Sequence, residues 1–145
     1  MRTSARAIGR LLGCTQGMAA LEFAFLAPAL LLLAFGIIIY SIYFSALIGV
    51  RQAASEGARA AVAGLSTSER TSLATARAAA VMKNYSTILG GSSDPVISAS
   101  VDGTGVFKVE VRYDMSSSPI MRYGKLVPLP SPNLTASVSV INGGY

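Results

Sequence analysis

The feature that most limits what this chain can fold into is a run of 28 residues, Phe23 to Val50, without one charged side chain. As a helix rising roughly 1.5 Å per residue it reaches about 42 Å, more than the roughly 30 Å of a bilayer's hydrocarbon core. A soluble protein hides such a helix inside a core, and a chain of 145 residues has too little else to surround it. The run therefore reads as a membrane span, with its transmembrane part over 23–48. About twenty residues from Phe23 end near Ile42, which puts Tyr40 and Tyr43 at the far membrane–water boundary, where amphipathic rings settle. Pro28 lies inside the run and is expected to kink the helix or loosen one hydrogen bond, a defect that membrane helices tolerate.

The flanking charges give the span a direction. Arg2, Arg6 and Arg10 precede it with no acid among them, so the N-terminus is expected in the cytoplasm and the C-terminal part outside. The same three arginines account for much of the net charge of +5 and the pI of 9.7. Beyond Gly17 nine Lys and Arg face seven Asp and Glu. No basic cluster interleaved with aromatics appears, so nucleic acid is not expected as a partner. A secretory signal has only about 7–15 apolar residues followed by a small-residue cleavage site, and this run is far longer. Leu11-Leu12-Gly13-Cys14 looks like a lipoprotein box but precedes the apolar region instead of following it.

One carboxylate stands at the mouth of the span. Glu22 follows Gly17 by five positions and abuts Phe23. A charge at membrane depth costs free energy and marks a functional position by default. The reader of such a position is a processing enzyme, a neighbouring subunit, or both.

Beyond the span Gly49, Ala53, Gly57 and Ala61 recur every fourth residue, a stripe of small side chains that lets another helix or a sheet approach closely. Packing against the chain's own C-terminal part and contact with another subunit are both open, the first being the commoner use of such a stripe. Gly64 and Leu65 end the helix. Ser66 and Glu69 then have the spacing of a capping box, opening a second helix over 68–89 that Gly90-Gly91 stops. After Pro95 the period changes to two. Phe107, Val109, Val111 and Tyr113 alternate with Lys108, Glu110 and Arg112, as in a strand with one buried face. Val96 to Val101 is a partner strand joined through Asp102-Gly103-Thr104-Gly105, and Leu134 to Ile141 is a third, after a proline- and serine-bearing loop over 115–133. The expected fold is α+β: a long N-terminal transmembrane helix, a second helix and a small antiparallel sheet of about three strands. It divides into a basic leader over 1–17, the long helix over 18–63 and a small external domain over 64–145.

The chemistry of catalysis is sparse. The chain has no His, and Cys14 is its one cysteine. That removes histidine-based catalysis, His/Cys metal sites and any disulfide within the chain. If Cys14 leaves with the leader the mature protein has no cysteine, which suits an oxidising compartment. Asp94, Asp102, Glu110 and Asp114 read as turn and solvent-face residues, and a Ser–Lys dyad through Lys83, Lys108 or Lys125 has no supporting motif. Asn84-Tyr85-Ser86 and Asn133-Leu134-Thr135 fit a glycosylation acceptor by chance. No catalytic residue, metal or cofactor is expected, and the protein is not expected to be an enzyme.

Gly17 followed by Glu22-Phe23 resembles the prepilin peptidase site of type IV pilin-like proteins. The stretch from Gly17 through Leu33, with Val50-Arg51-Gln52-Ala53 and Glu56-Gly57-Ala58-Arg59-Ala60-Ala61, is similar to the TadE-like minor pilins (pseudopilins) of tight-adherence, or Flp, pilus systems. The resemblance is specific over residues 17–62. Flp major pilins are shorter and usually carry Glu-Tyr, so Glu22-Phe23 with an external domain fits the TadE-like group; TadF and TadG relatives share the signal. The resemblance implies cleavage between Gly17 and Met18 by a prepilin peptidase on the cytoplasmic side. It also implies a helix held in the inner membrane with a periplasmic domain, and later a place in a pilus at the cell surface. Implied partners are that peptidase, the Flp major pilin, other minor pilins, the inner-membrane assembly platform and the lipid bilayer. Glu22 would then compensate a free N-terminal amine, its own or a neighbour's, in an apolar filament core. The alternative is a single-pass envelope binding module that never polymerises; a membrane-tethered enzyme is a third.

Overall fold

A computed structural model describes residues 15–89, 93–102 and 104–141. Five regular elements and a short 3-10 turn make it α+β: α1 (Thr15–Ala61), α2 (Thr67–Leu89), β1 (Val96–Val101), β2 (Val106–Asp114), a 3-10 helix (Pro119–Tyr123) and β3 (Asn133–Ile141). Most of the basic leader, Cys14, the expected Gly90-Gly91 stop and Gly103 lie outside the described residues. The chain forms two compact units, Met1–Ile37 and Ile38–Tyr145.

In the first unit the described residues belong to α1, which continues as one element through Pro28. Phe23, Phe25, Leu26, Leu30 to Leu33, Phe35 and Ile37 are all exposed. An apolar stripe on one side would mean a surface helix; apolar side chains all round mean a helix whose solvent is not water. This helix is long and apolar enough to cross a membrane, and it supplies a single-pass anchor. Residues 18–38 alone extend about 31 Å, close to the roughly 30 Å of hydrocarbon.

The second unit opens with the remaining turns of α1. Three backbone bonds of the tighter i to i+3 kind, Val62 N to Arg59 O, Ala63 N to Ala60 O and Gly64 N to Ala61 O, finish that helix. The Ser66 hydroxyl then accepts from Glu69 N at 3.2 Å, and the Glu69 carboxylate accepts from Leu65 N at 3.0 Å. Two donors at the start of α2 are thereby satisfied, with the reciprocal bond falling one residue earlier than in the usual box.

The sheet is an antiparallel meander in the order β1-β2-β3. The register aligns Val109 with Ala99 and Val138, Val111 with Ile97 and Ala136, and Phe107 with Val101 and Val140. Because side chains alternate along a strand, these residues share one face, where Phe107, Val109 and Val111 are fully buried. Lys108, Glu110 and Arg112 hold the other face, with Glu110 paired to both cations. Thr71 Oγ1 of α2 lies 3.5 Å from Ala99 O, so α2 packs over β1. In the hairpin, the Asp102 carboxylate accepts from Thr104 N and Val106 N, both at 2.9 Å, and Gly105 adopts a φ of +82°, a conformation that glycine takes without steric cost.

The segment 115–133 is an ordered excursion from the sheet. Met115 and Ser118 are buried, and Ile120 and Val127 nearly so. Ser118 N bonds Met115 O at 2.8 Å, and Leu126 N and Val127 N both bond Tyr123 O. The apolar members Met115, Ile120 and Val127 join Ile39, Tyr43 and Ala46 in one cluster, so the excursion walls off the start of the domain's core.

Candidate functional site

The motif residues lie on the first unit's helix. Gly17 and Met18 sit in the first turn of α1, and Glu22 and Phe23 follow one turn later, all exposed. Glu22 makes no hydrogen bond or ion pair among the described residues. On a helix, positions 18 and 22 are i and i+4 neighbours, and the Cα–Cβ bond of Glu22 tilts back toward the N-terminus. A charge borne by the backbone nitrogen of residue 18 would be within one turn of that carboxylate.

Gly17 differs from Gly49, Gly57 and Gly64 in what surrounds it. A Cβ added there would meet nothing within 4 Å. At Gly49 it would meet the Tyr85 ring at 2.9 Å, and at Gly57 the Ala74 carbonyl oxygen at 3.0 Å. At Gly64 it would meet Arg70 Cγ at 2.6 Å. The fold needs glycine at 49, 57 and 64 for close approach; among the described residues nothing crowds position 17, as nothing crowds Gly36.

The stripe of small residues is covered by the protein's own domain. Gly49 faces Tyr85, and Gly57 faces Ala74, Ala78 and Val109. Ala53 and Ala61 are fully buried. The stripe is thus where α1 meets α2 and the inner face of β2. Polar bonds flank it: Tyr85 Oη donates to Gln52 Oε1 at 2.7 Å, and Arg77 Nη2 donates to Glu56 at 3.1 Å.

Two tyrosines fix the excursion to α1. Tyr40 Oη donates to Pro128 O, and Tyr43 Oη donates to Ser131 O at 3.2 Å. Both hydroxyls are used within the domain, and the Tyr43 ring is buried. The sequence alone places these rings at the membrane boundary, because an apolar body with a polar tip suits both settings.

Arg70 is the residue that sequence reasoning passes over. It is only 8% exposed, its Nε donates to Ala61 O at 3.0 Å, and its guanidinium lies 5.0 Å from the Phe107 ring centroid. One side chain therefore satisfies a carbonyl at the C-terminus of α1 and stacks on the largest fully buried side chain. A cation on the first turns of a helix reads as solvated; the one hint is Gly64, which leaves room for it.

The acids have structural work. Hydrogen bonding from Thr104, and then from the backbone of Val106, holds the Asp102 carboxyl below its ordinary range. Ser116 does the same for Asp114, and Arg112 and then Lys108 for Glu110. Burial, with a smaller effect of Asp114, pushes the Tyr113 phenol up. An open cleft of about 430 Å³ lies at this end of the sheet, between Asp94, Arg112, Asp114 and Asn133.

Residues 17–59 match the family described as TadE-like protein, from the exposed glycine through nearly all of α1. No curated protein and no solved structure matches the chain.

Proposed function

We propose that this chain, TadE-like over residues 17–59 and so tied to the tight-adherence pilus system, is a minor pilin, or pseudopilin. A prepilin peptidase cuts it between Gly17 and Met18. The mature helix stays in the inner membrane with the domain in the periplasm until the protein joins the assembly or initiation of an Flp pilus. Its partners are the peptidase, the Flp major pilin, other minor pilins and the assembly platform. Its work is structural, not enzymatic.

The observation that carries this reading is the contrast at the helix start. A glycine that no described residue crowds precedes a carboxylate with no partner among the described residues, on a helix that is apolar all round. A need for glycine at 17 then lies with something outside the chain, such as a protease that holds the backbone closely. Glycine is also the poorest helix former after proline, by about 1 kcal/mol relative to alanine, so local unwinding for cleavage is least costly there. Cleavage creates an amine at Met18, one turn from Glu22. Pairing that carboxylate with its own or a neighbour's amine offsets the desolvation of both ions in an apolar filament.

The mass of the mature protein, with and without the system's peptidase, tests the proposal. A chain beginning at Met18 is expected, and Gly17→Ala should abolish it. An intact N-terminus in native membranes would sink the processed reading in favour of an anchored module. Glu22→Gln should insert normally yet fail to enter pili; wild-type piliation would remove the pairing role.

A further inference from the structure

The two edges of the sheet are not alike. β1 is covered: α2 packs over it, and Thr71 Oγ1 reaches Ala99 O. β3 is longer, nine residues against six, and holds no charged residue, proline or glycine. A long uncharged edge is a ready template for another strand, and proteins ordinarily blunt one with charge, proline, a bulge or a covering element. This edge has none of these among the described residues.

The ladder decides which backbone groups the edge offers. Met115 N bonds Pro132 O, and Asn133 N bonds Ser131 Oγ instead of β2. In an antiparallel pair, residues alternate between exchanging both bonds with the partner and turning both groups away. Leu134, Ala136, Val138 and Val140 therefore bond to β2, opposite Tyr113, Val111, Val109 and Phe107. Thr135, Ser137 and Ser139 turn N–H and C=O to the free edge, where no partner meets them among the described residues. The inner face thins in the same direction. Phe107, Val109 and Val111 on β2 are fully buried, whereas Ala136, Val138 and Val140 are half-buried.

We propose that the free edge of β3 docks a strand of another protein, uncharged and with apolar residues at every second position. Backbone bonds at 135, 137 and 139 hold it, and its apolar side chains extend the cover over Ala136, Val138 and Val140. Charge selects it: the edge carries none, and Lys108, Glu110 and Arg112 on the outer face of β2 are paired with one another. A second copy of this chain does not meet these terms. Parallel pairing of two β3 strands requires turning one copy over, which sets its apolar inner face beside the polar outer face of the first. Antiparallel pairing keeps the faces together but reverses the copy's α1. That helix runs beside β3 in the same sense, from the cluster of Ile39, Tyr43 and Leu134 to that of Ala58, Ala61 and Val140, and copies inserted by one charge rule share its direction. The inference rests on the sheet and, for the choice of partner, on the single-pass anchor; cleavage at Gly17 does not enter it.

The test uses the full chain in lipid nanodiscs and a fluorescent peptide copying residues 133–141, whose alternation supplies the stated chemistry. Saturable binding by fluorescence anisotropy is expected, and a peptide of the same composition with its apolar residues contiguous should bind more weakly. Ser137→Pro removes one edge-facing donor and leaves the bonds to β2 in place, as proline on an edge strand can. It should weaken binding about tenfold, with Ser137→Ala unchanged. Residue-resolved hydrogen exchange of the parent chain needs no variant: the amides of Thr135, Ser137 and Ser139 should be slowed by peptide, those of Ala136 and Val138 being slow already. Absence of saturable binding, equal binding to the Ser137→Pro chain, or no slowing at 135, 137 and 139 overturns the proposal. A chain that dimerises by itself, and loses the dimer in Ser137→Pro, overturns the choice of partner. A chain found intact at Gly17 that still binds the peptide removes the processed reading and leaves the docking edge standing.

Discussion

Replacing Arg70 measures how the end of α1 is held. The Nε donor 3.0 Å from Ala61 O is a hydrogen bond from a charged group in a nearly closed site, since Arg70 is 8% exposed and Ala61 fully buried. Losing such a bond costs about 1.5–3 kcal/mol. The guanidinium 5.0 Å from the Phe107 ring adds about 0.5–2 kcal/mol. Against this stands the desolvation of the cation, which Arg70→Met regains along with most of the packing volume. A net loss of about 2 kcal/mol follows for Arg70→Met. Arg70→Ala should lose about 3–4 kcal/mol, because it also opens a cavity beneath Gly64.

The assay is thermal unfolding of the full chain in lipid nanodiscs, followed by near-ultraviolet circular dichroism of its six tyrosines. Far-ultraviolet signal would be diluted by the membrane helix, which does not melt. At roughly 4 °C per kcal/mol for a domain of this size, Arg70→Met should lower Tm by about 8 °C. Arg70→Lys keeps the charge but loses the planar donor beside Ala61, and should fall in between. A Tm for Arg70→Met within about 2 °C of the parent would refute the capping role. So would Arg70→Lys indistinguishable from the parent.

Gly57→Val places branches against the Ala74 carbonyl oxygen at 3.0 Å and Ala78 Cβ at 3.2 Å; overpacking of about 1–3 kcal/mol should follow, seen as a lower Tm, whereas Gly17→Ala should leave Tm unchanged. Lowering the pH should destabilise the domain: Asp102, Glu110 and Asp114 have folded-state affinities for protons below their ordinary values of 3.8, 4.5 and 3.8, so their contribution is present above those values and is lost as pH falls through and below them. A pH titration of Tm that stays flat from 5 to 3, about the window those values define, would contradict this. Tyr43→Phe removes the bond to Ser131 O and should cost about 1 kcal/mol, with faster proteolysis of 115–133 as the second readout.

How much of this is legible in the sequence depends on whether neighbours in sequence are also neighbours in the environment that matters. The strand Val106–Asp114 is legible because water on one face and core on the other write a period of two into nine residues. Ser66 and Glu69 are legible as a helix start because capping is local. The ordered excursion is not. Met115, Ser118, Ile120 and Val127 are buried without any period, since the segment is held by bonds to Tyr40 and Tyr43, some 88 positions away. Arg70 fails for a related reason: its partners, Ala61 O and Phe107, come from two other elements. Among the motif residues, Gly17 and Glu22 can be singled out by order alone. What the structure adds is that no described residue crowds Gly17 or pairs with Glu22.

The two halves of α1 divide the surfaces open to a neighbouring subunit. From Ile39 onward one face of the helix is consumed: Ile39, Tyr43, Ala46, Val50, Ala53, Ala54, Ala58 and Ala61 are buried in the domain. The small-residue stripe belongs to that face and cannot serve a second helix without opening the core. What remains on this part of the helix is the line Phe44, Ile48, Arg51, Ser55 and Arg59, all exposed. Its spacing of three and four residues makes it continuous. It begins apolar, with Phe44 and Ile48, and ends polar. Residues 18–38, by contrast, are exposed on nearly every side. A subunit packing alongside this chain therefore has its largest apolar surface around Glu22 and Phe23, and a narrow one along Phe44 and Ile48. Glu22, which has no partner among the described residues, stands on the first of these, where under the proposed processing a neighbour's amine would bring the opposite charge.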